Sequence, residues 1–394
     1  MRGGSGAAAG GAGGEERRLL YLSPVFWRSY PQRPHFFARC FLESFGGAVL
    51  WVDPYLTRLP GPGDLRLSLS LHDQGTAPPP GLEVLSVPAL PVEPLPGGTA
   101  LNRALYWRAA WKRMTRFAAE GDAVVVGVGK PSRLALEAVS RLPHAGAFYD
   151  AMDDFPEFHS GLSRRAAART EAELARRVSV VYASSTALAE RWSGRHPQVR
   201  LVPNACDPAV LPEPAPPPRE PLRLGYVGSM ARWFDWELVA ELGRALPGAE
   251  LHLVGPVFTP PPRALPGNVV LHAPCDAAGA AAWYARFSAG LIPFKQNALT
   301  RGVDPVKYYE YRACGLPVLS TRFGEMERRG PAEGVVFLER GRPLRGAVEE
   351  ALALPFDAEA VRRFREENGW ARRLEACGAF GPPLFGEGGS GGAA

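Results

Sequence analysis

Short apolar runs alternate with helical stretches along this chain. Residues 18–22 form an apolar run that ends at a Ser-Pro turn, apolar side chains recur at helical spacing over 35–45, and another run occupies 48–52. Short apolar runs bounded by turn residues predict buried strands, and the 3.6-residue spacing predicts a helix. A strand–helix–strand order is the unit of a parallel sheet, so the chain begins as an α/β protein.

The same alternation continues up to residue 202. Residues 56–98 are rich in proline and glycine and predict no clear element. The strands are predicted at 123–128, 147–150, 178–183 and 199–202, and the helices at 101–119, 132–141, 162–177 and 185–192, the last capped by Ser184 or Ser185.

A proline-rich segment over 211–221 interrupts the pattern, which then begins again. The predicted strands are 222–227, 250–254, 269–272, 290–293, 317–321 and 335–338, and the helices are 236–246 with Asp235 as cap, an alanine-rich helix ending at Phe287, and 305–314.

The whole pattern predicts an α/β fold with two Rossmann-like parallel-sheet domains that face a cleft. Ligands of open α/β sheets bind beyond the carboxyl ends of the strands, so chemistry is sought there. The predicted layout is a flexible tail (1–17), a first α/β domain (18–205), a linker (206–221), a second α/β domain (222–356), a terminal helix (357–380) and a second tail (381–394).

Composition narrows the class of protein. The 394 residues are 46% hydrophobic and 22% charged with a net charge of +5, as in ordinary globular proteins, and no dense basic block indicates a nucleic-acid partner. The five cysteines form no C-x-x-C pair, which fits a reducing cytoplasm. No apolar run is long enough to span a bilayer, and a mild attraction to the inner membrane surface stays open.

The segment 300–311 carries the densest candidate chemistry. Asp304 is expected to cap a helix with Pro305 at its first position, which places Lys307 in the first turn. A lysine beside free helix amides makes an anion site, and Glu310 on the same face can accept the hydroxyls of a ribose. The alternative is an ordinary surface ion pair between Lys307 and Glu310.

A second candidate follows the strand at 222–227. Gly228 and Ser229 form a turn where backbone can approach a ligand, and Arg232 just beyond can contact phosphate oxygens. The alternative is a simple tight turn with a solvated arginine. The chain has neither G-x-G-x-x-G nor G-x-x-x-x-G-K-[ST], which disfavours dinucleotide dehydrogenases and P-loop enzymes.

Taken together, these motifs resemble the retaining GT-B glycosyltransferases of the family 4 type, in the branch of teichuronic-acid and exopolysaccharide transferases. The resemblance covers most of residues 18–378 and is most specific over 300–320. The motifs that carry it are Val202-Pro203-Asn204-Ala205-Cys206-Asp207, Gly225-Tyr226-Val227-Gly228, Trp233-Phe234-Asp235-Trp236, Asp304-Pro305-Val306-Lys307 through Glu310-Tyr311 to Gly315-Leu316-Pro317-Val318, Trp27, Arg33-Pro34-His35, Tyr149 to Phe155, and Trp370.

The resemblance implies a nucleoside-diphosphate-sugar donor bound by the second domain, with no further cofactor and no metal. Lys307 and Arg232 would neutralise the diphosphate, Glu310 would bind the ribose, and the terminal helix would cross back to the first domain. Arg301 and Asp304 join Gly228 and Ser229 in the predicted donor site. The family signature has two glutamates, and Gly302 occupies the first of these positions.

The catalytic candidates lie in the first domain. Asp150 ends a predicted strand near the cleft, and it, Asp153 or Asp154 can orient or deprotonate an acceptor hydroxyl; the alternative is a helix cap. His35 can contact the acceptor or the donor phosphate, or it simply begins a helix. A magnesium site at the three aspartates is disfavoured because no ligands from other segments are identifiable.

The leading hypothesis is a metal-independent transferase that moves a sugar to a glycan or lipid-linked acceptor in polysaccharide biosynthesis. Two alternatives stay open: a GT-B-fold nucleotide-sugar epimerase, and a catalytically silent GT-B-like binding protein. An epimerase would need further carboxylates and histidines around the donor sugar, and no such cluster is visible among the seven histidines.

Overall fold

Two parallel sheets form the centre of the molecule. The computed structural model describes residues 16–60 and 77–385, so most of both predicted tails lies outside the described residues. The first sheet has seven strands and the second has six, and every pairing between neighbouring strands is parallel. The predicted α/β fold with two parallel-sheet domains is confirmed.

The first sheet has the strand order β3-β2-β1-β4-β5-β6-β7. Its central strands are buried on both faces, as the continuous apolar runs predict, and Leu19, Leu20 and Tyr21 are fully buried. The strands are β1 (Arg17–Leu22), β2 (Ala48–Val52), β3 (Leu82–Leu85), β4 (Ala123–Val128), β5 (Gly146–Ala151), β6 (Val180–Ala183) and β7 (Val199–Leu201).

Six α-helices accompany this sheet in the described part of the chain. Ser185 caps the last of them by accepting a hydrogen bond from the Leu188 amide, so the second of the two predicted caps is the right one. The helices are α1 (Arg33–Phe45), α2 (Gly98–Leu105), α3 (Trp107–Ala119), α4 (Arg133–Arg141), α5 (Gly161–Ala175) and α6 (Thr186–Ser193).

The predicted single helix over 101–119 is wrong, since α2 and α3 are separated at Tyr106. The buried Asn102 side chain pairs with the main chain of Leu90 through both its oxygen and its nitrogen. Trp107, at the start of α3, is buried in the core beneath the sheet. Each helix therefore has its own anchor, which the apolar spacing alone does not separate.

The second sheet has the order β10-β9-β8-β11-β12-β13. Asp235 caps its first helix through the Leu238 amide, as predicted. The strands are β8 (Arg223–Val227), β9 (Glu250–Val254), β10 (Val269–His272), β11 (Ala289–Ile292), β12 (Val318–Ser320) and β13 (Val335–Phe337), and the helices are α7 (Trp236–Ala245), α8 (Ala277–Tyr284), α9 (Val306–Ala313), α10 (Leu344–Ala353), α11 (Ala358–Glu367) and α12 (Trp370–Ala376).

The end of the chain returns to the first domain, as predicted. Trp370 in α12 stacks on Phe36 of α1 with ring centroids 5.0 Å apart. The predicted crossover helix is two helices, interrupted at Gly369, where the backbone pairs with Cys206. The prediction of a flexible tail from residue 381 is wrong for its first part, because Leu384 and Phe385 are buried in the first domain's core.

Hydrogen bonds between the two domains join the carboxyl ends of their strands. The Ser185 hydroxyl donates to the Gly302 carbonyl at 2.8 Å. The amide and hydroxyl of Thr186 both donate to the Glu325 carboxylate, at 2.8 and 2.7 Å. The loops that carry the predicted site of the second domain therefore lie against the first domain.

Candidate functional site

Three polar side chains meet at the start of α9. The Lys307 ammonium lies 2.6 Å from a Glu310 carboxylate oxygen. The Tyr284 hydroxyl donates to the same oxygen at 2.8 Å and accepts from Lys307 at 3.1 Å. The Lys307 and Glu310 side chains are 23% and 22% exposed, so solvent and ligands reach both.

Two glycines bring the backbone of β8 and β9 close to this cluster. Gly228 follows β8 at a φ of 155°, and a Cβ added there would lie 2.8 Å from the Tyr226 hydroxyl and 3.5 Å from Lys307 Cε. Gly255 follows β9 at a φ of 138°, and its Cβ would lie 2.3 Å from the Gly228 carbonyl oxygen. Only glycine fits at either position, so the main chain at the strand ends approaches the lysine closely.

The other predicted residues of the donor site lie around this turn and the loop before α9. Ser229 is half-buried, and its carbonyl accepts a hydrogen bond from Tyr226. Arg232 is exposed and donates across the gap to the Phe158 carbonyl of the first domain at 3.1 Å. Arg301 is exposed, and its side chain makes no hydrogen bond within the described residues.

Asp304 does not cap α9, so that prediction is wrong. The residue that precedes the helix is Pro305, and no side chain caps it. The Asp304 carboxylate is buried and accepts from the Asn204 amide, the Tyr309 hydroxyl and the Arg329 guanidinium, at 2.8, 2.9 and 2.8 Å. These partners occupy the carboxylate in place of the helix amides, and the bond from Asn204 connects it to the end of the first domain.

In the first domain, Asp150 is a buried ion-pair residue. Its carboxylate is fully enclosed and lies 2.8 Å from both Nε and Nη2 of Arg33. Arg33 also donates to the carbonyl of Val202, and Tyr21 donates to Asp150 from the other side. Both side chains are buried among protein partners, although Arg33 Nη2 makes no hydrogen bond within the described residues. Neither side chain is therefore accessible to an acceptor or a phosphate in this conformation.

Asp153 differs from Asp150 in being half-buried and in having no hydrogen-bond partner within the described residues. Burial and then the neighbouring Asp150 charge raise its pKa to about 7, although Arg33 lowers it. A carboxyl group with a pKa near neutrality exchanges protons readily at physiological pH. Asp153 is therefore the one of these three aspartates whose carboxyl group makes neither an ion pair nor a hydrogen bond within the described residues.

Asp154 forms an ion pair with Arg191 at 2.7 Å. It precedes the short 3-10 helix Phe155–Phe158, yet its side chain makes no capping hydrogen bond there. Burial raises the pKa of Asp154, and Arg191 lowers it. The ion pair holds the Asp154 carboxylate against Arg191 of α6.

His35 is a buried residue of the start of α1. Its Nδ1 accepts from the Gln32 amide at 3.1 Å, and its Nε2 donates to the Trp27 carbonyl at 3.0 Å. The ring packs between Trp27 and Trp51, and burial lowers its pKa to about 4. The alternative of a helix-start histidine is the one the structure supports, and the predicted contact of His35 with substrate is not available here.

Sequence reasoning missed Tyr284. It is the last residue of the alanine-rich helix α8, where the surrounding residues carry no polar signal. Its hydroxyl is in contact with both charged groups of the cluster, and burial holds its pKa well above the ordinary value, so the phenol stays protonated. An isolated tyrosine at the end of an apolar helix was the one hint available.

The described residues contain no group of three or more His, Cys, Asp or Glu side chains placed to hold a metal ion. A cavity of about 620 Å³ lies in the first domain and one of about 560 Å³ in the second. Neither is lined by Lys307 or Glu310, whose side chains are in contact with each other at the start of α9.

Comparison by sequence gives one short similarity. No family model matches the chain. It is 25% identical over 132 residues to TuaH of Bacillus subtilis (strain 168), a protein assigned to teichuronic acid biosynthesis as a glycosyltransferase. The match spans 32% of this chain and about a third of that relative's length.

Comparison by structure covers nearly the whole chain. A sucrose-phosphate synthase from Thermosynechococcus elongatus superposes with a TM-score of 0.62 at 15% identity, over 92% of this chain and 94% of that one. The chain has the GT-B fold. AviGT4, a glycosyltransferase of avilamycin A biosynthesis, superposes with a TM-score of 0.57 at 15% identity, over 92% and 95%. An E. coli trehalose-6-phosphate protein bound with UDP-2-fluoro glucose gives 0.58 at 10% identity, over 92% and 98%.

Proposed function

We propose that the protein is a glycosyltransferase that transfers a sugar from a nucleoside-diphosphate-sugar donor to a glycan or lipid-linked acceptor. The observation that carries the proposal is the cluster of Lys307, Glu310 and Tyr284 at the start of α9. The backbone at Gly228 and Gly255, at the ends of β8 and β9, lies close to this cluster, which is on the side of the domain that contacts the first domain. The short similarity to TuaH supports the same class.

Each group has a role in donor binding. The diphosphate takes the place of Glu310 as partner of the Lys307 ammonium. It lies near the Ser229 amide, which makes no hydrogen bond within the described residues, whereas the Gly228 amide donates to the Val254 carbonyl. Arg232 supplies a second positive charge from the rim of the cleft. Glu310 then accepts the ribose hydroxyls. The leaving diphosphate is stabilised by these cations, and no step in this scheme uses a metal ion.

The position that the family signature gives to its first glutamate is closed here. Gly302 is buried, and its carbonyl accepts the interdomain hydrogen bond from Ser185. A Cβ at Gly302 would lie 3.2 Å from the Leu188 side chain of α6. We propose that contact between the domains replaces carboxylate recognition of the donor sugar at this position.

On the acceptor side we propose Asp153 as the residue that orients or deprotonates the acceptor hydroxyl. It follows β5 at the carboxyl edge of the first sheet, and its pKa of about 7 suits proton exchange. Retention of anomeric configuration, family 4 membership and the absence of a metal requirement are further proposals, and these rest on the sequence resemblance.

A nucleotide-binding panel tests the proposal. Thermal shift with UDP, GDP, ADP and dTDP, each with EDTA and with MgCl₂, identifies the base and the metal dependence. We expect one nucleotide to raise the unfolding temperature in EDTA, and Lys307→Ala and Glu310→Ala each to weaken its binding by about thirtyfold.

Arg363→Ala and Glu359→Ala are matched controls, because these residues form an i,i+4 ion pair on α11 with both side chains more than half exposed. They should leave nucleotide binding unchanged. If Lys307→Ala and Glu310→Ala fold and bind nucleotides like the wild type, the proposed donor site is wrong. An enzyme that interconverts two free nucleotide sugars without an acceptor would be an epimerase instead.

A further inference from the structure

Lys130 is a cavity-lining lysine at the carboxyl edge of the first sheet. It follows β4 in the loop before α4, and its ammonium donates to the Tyr55 carbonyl at 2.6 Å. It lines the cavity of about 620 Å³ and makes no ion pair within the part of the chain that the structure describes. Burial lowers the pKa of Lys130 to about 8, so the ammonium is still mostly protonated at neutral pH. A partly desolvated ammonium of this kind is stabilised when an anion binds to it.

The Glu93 carboxyl group lies near Lys130 but is held by other partners. It accepts hydrogen bonds from the Tyr55 hydroxyl and from the Arg133 amide, the latter at 3.3 Å. Burial raises its pKa to about 7, although the hydrogen bonds and the charge of Lys130 lower it. At pH 7 this carboxyl group is therefore ionised in only about half of the molecules, and it neutralises Lys130 in part.

His159 lines the same cavity, and its ring has no hydrogen-bond partner. It directly follows the 3-10 helix Phe155–Phe158. Its Nδ1 is enclosed, and neither ring nitrogen makes a hydrogen bond within the described residues. Burial and then the positive charges of Lys130, Arg58 and Arg232 lower its pKa to about 4. The imidazole is therefore neutral, and its unpaired polar atoms can bond to a ligand oxygen.

Arg232 brings positive charge from the second domain to the same position. Its guanidinium donates to the carbonyl of Phe158, the residue before His159, at 3.1 Å. Lys130 follows β4, His159 lies in the segment after β5, and Arg232 lies beyond the end of β8. All three therefore lie beyond the carboxyl ends of parallel strands, where ligands of such folds bind.

We propose that Lys130, His159 and Arg232 bind a phosphate group carried by the acceptor. Phosphate oxygens can accept hydrogen bonds from the ammonium, the imidazole and the guanidinium at the same time. A phosphate monoester carries a charge of about −1.5 to −2 at pH 7, which suits a site with two cations better than a carboxylate does. The adjoining cavity of about 620 Å³ has room for the rest of the molecule.

This inference rests on the proposed function, because it names the chemical class of the acceptor for the same transfer. The phosphate can belong to a soluble sugar phosphate or to a lipid-linked acceptor, and the test has one arm for each source. Within residues 16–60 and 77–385, no helix has both the length and the apolar character required to span a bilayer. Arg232 is also proposed for the donor diphosphate, so the test uses variants of Lys130 and the signals of His159.

Isothermal titration of the full-length protein, saturated with the nucleoside diphosphate that the panel selects, tests the inference. The probes are glucose 6-phosphate beside glucose, and octyl phosphate beside octanol. We expect a phosphate to bind about tenfold or more tightly than its neutral parent. Tighter binding of octyl phosphate would indicate a lipid-linked acceptor, and tighter binding of glucose 6-phosphate would indicate a soluble one.

Lys130→Met removes the charge and keeps the length of the side chain. It should weaken phosphate binding by about tenfold or more and change nucleoside diphosphate binding by less than about twofold, whereas Lys130→Arg should keep most of the phosphate binding. Lys295→Met is the matched control, because Lys295 lines the cavity of the second domain. This control should bind the phosphate probe like the wild type.

NMR signals of the histidine rings give an independent readout. Bound phosphate should shift the His159 signals and raise the pKa of His159 from about 4, because an adjacent anion favours the imidazolium. His144 is the matched control, since it is also half-buried with an enclosed Nδ1 that makes no hydrogen bond, but it does not line the cavity. Its signals should not respond to phosphate.

The inference is overturned if neither phosphate binds better than its neutral parent, or if Lys130→Met binds the phosphate like the wild type. Lys130 would then be only an internal counter-charge for Glu93. Competition between the probe and the nucleoside diphosphate would place the probe in the donor site and would also overturn it.

The same titrations on nucleotide-free protein distinguish the two proposals. Nucleotide binding without phosphate binding contradicts the acceptor site alone. Phosphate binding at Lys130 without nucleotide binding contradicts the donor site alone.

Discussion

Two ion pairs, one in each domain, show how similar residues take different roles. Arg33 and Asp150 pair in the first domain with side chains that are 1% and 0% exposed. Lys307 and Glu310 pair in the second domain with side chains that are 23% and 22% exposed. Both pairs lie close to the carboxyl ends of parallel strands, where ligands of such folds bind.

The difference lies in what surrounds each pair. Arg33 and Asp150 have protein partners on every side, including Tyr21 and the Val202 carbonyl, so a ligand would have to break the core to reach them. Lys307 and Glu310 have only each other and Tyr284, beside a turn of glycine backbone. The first pair is enclosed in the core of its domain, and the second is the pair that we propose exchanges its partner for a ligand.

The largest effect is expected from breaking the buried pair. Asp150→Ala leaves the Arg33 guanidinium buried without a counter-charge and should lower the free energy of unfolding by about 3–5 kcal/mol. Urea denaturation measures this. Replacing both residues, Arg33→Met with Asp150→Leu, should recover most of the loss. If Asp150→Ala is as stable as the wild type, the pair is not the structural element described here.

The next effect concerns the ribose. Glu310→Gln should weaken nucleoside diphosphate binding by about 2 kcal/mol, because the amide has one neutral acceptor oxygen where the carboxylate offers two charged ones to the ribose hydroxyls. Inorganic pyrophosphate should bind as well as before, since it has no ribose and Lys307 is released from its carboxylate partner. Isothermal titration with both ligands separates the two. Equal weakening of both would place Glu310 at the phosphates.

Asp153 links stability to pH. Its folded pKa of about 7 lies above the unfolded value of 3.8. The carboxyl group therefore ionises less readily in the folded state, and the free energy of unfolding falls progressively as pH rises from about 4 to about 7. Asp153→Asn removes the ionisation, and the variant should gain about 1–2 kcal/mol over the wild type at pH 8, allowing for partial exposure, but little at pH 4.

Chemical denaturation of Asp153→Asn and wild type across this pH range measures the difference. A gap that does not change with pH would show that Asp153 ionises in the folded protein as it does in water. Transfer activity should also fall in Asp153→Asn while donor binding stays, if this carboxyl group serves the acceptor.

The smallest expected effect is that of Tyr284→Phe. The substitution keeps the buried ring and removes only the hydroxyl that bridges Lys307 and Glu310. Nucleoside diphosphate binding should weaken by about 1 kcal/mol, with little change in the unfolding midpoint. Tyr308→Phe is the matched control, because its hydroxyl makes only a 3.4 Å contact with a carbonyl. If the Tyr284→Phe variant binds nucleoside diphosphate like the wild type, the Tyr284 hydroxyl has no role in binding and the residue contributes only core packing.

The sequence allowed the fold to be predicted, because parallel strands buried on both faces are continuous apolar runs and helix caps such as Asp235 are local. The Lys307–Glu310 pair was predictable for the same reason, since three residues on a helix fix its geometry. The buried ion pair of Asp150 was not predictable. Its partner Arg33 is 117 residues away in the sequence, and only the packed sheet brings the two side chains together.

The prediction that Asp304 caps α9 was wrong for the same reason, since its partners Asn204 and Arg329 come from other segments. An aspartate before a proline and a helical pattern is typical of a cap, and nothing local distinguishes a carboxylate that serves the contact between two domains. For His35 the helix-start alternative is the right one, but its full burial was not predictable, because its tryptophan neighbours come from a loop and from β2. Burial depends on the tertiary structure, and burial decides which polar residues are available to a ligand.

The most direct test of the central claim is a crystal structure with the nucleoside diphosphate that the panel selects. We expect diphosphate oxygens at Lys307 and at the Ser229 amide, with the ribose hydroxyls on Glu310. A nucleotide found elsewhere, such as in the cavity of the first domain, with the Lys307–Glu310 pair undisturbed, would contradict this expectation.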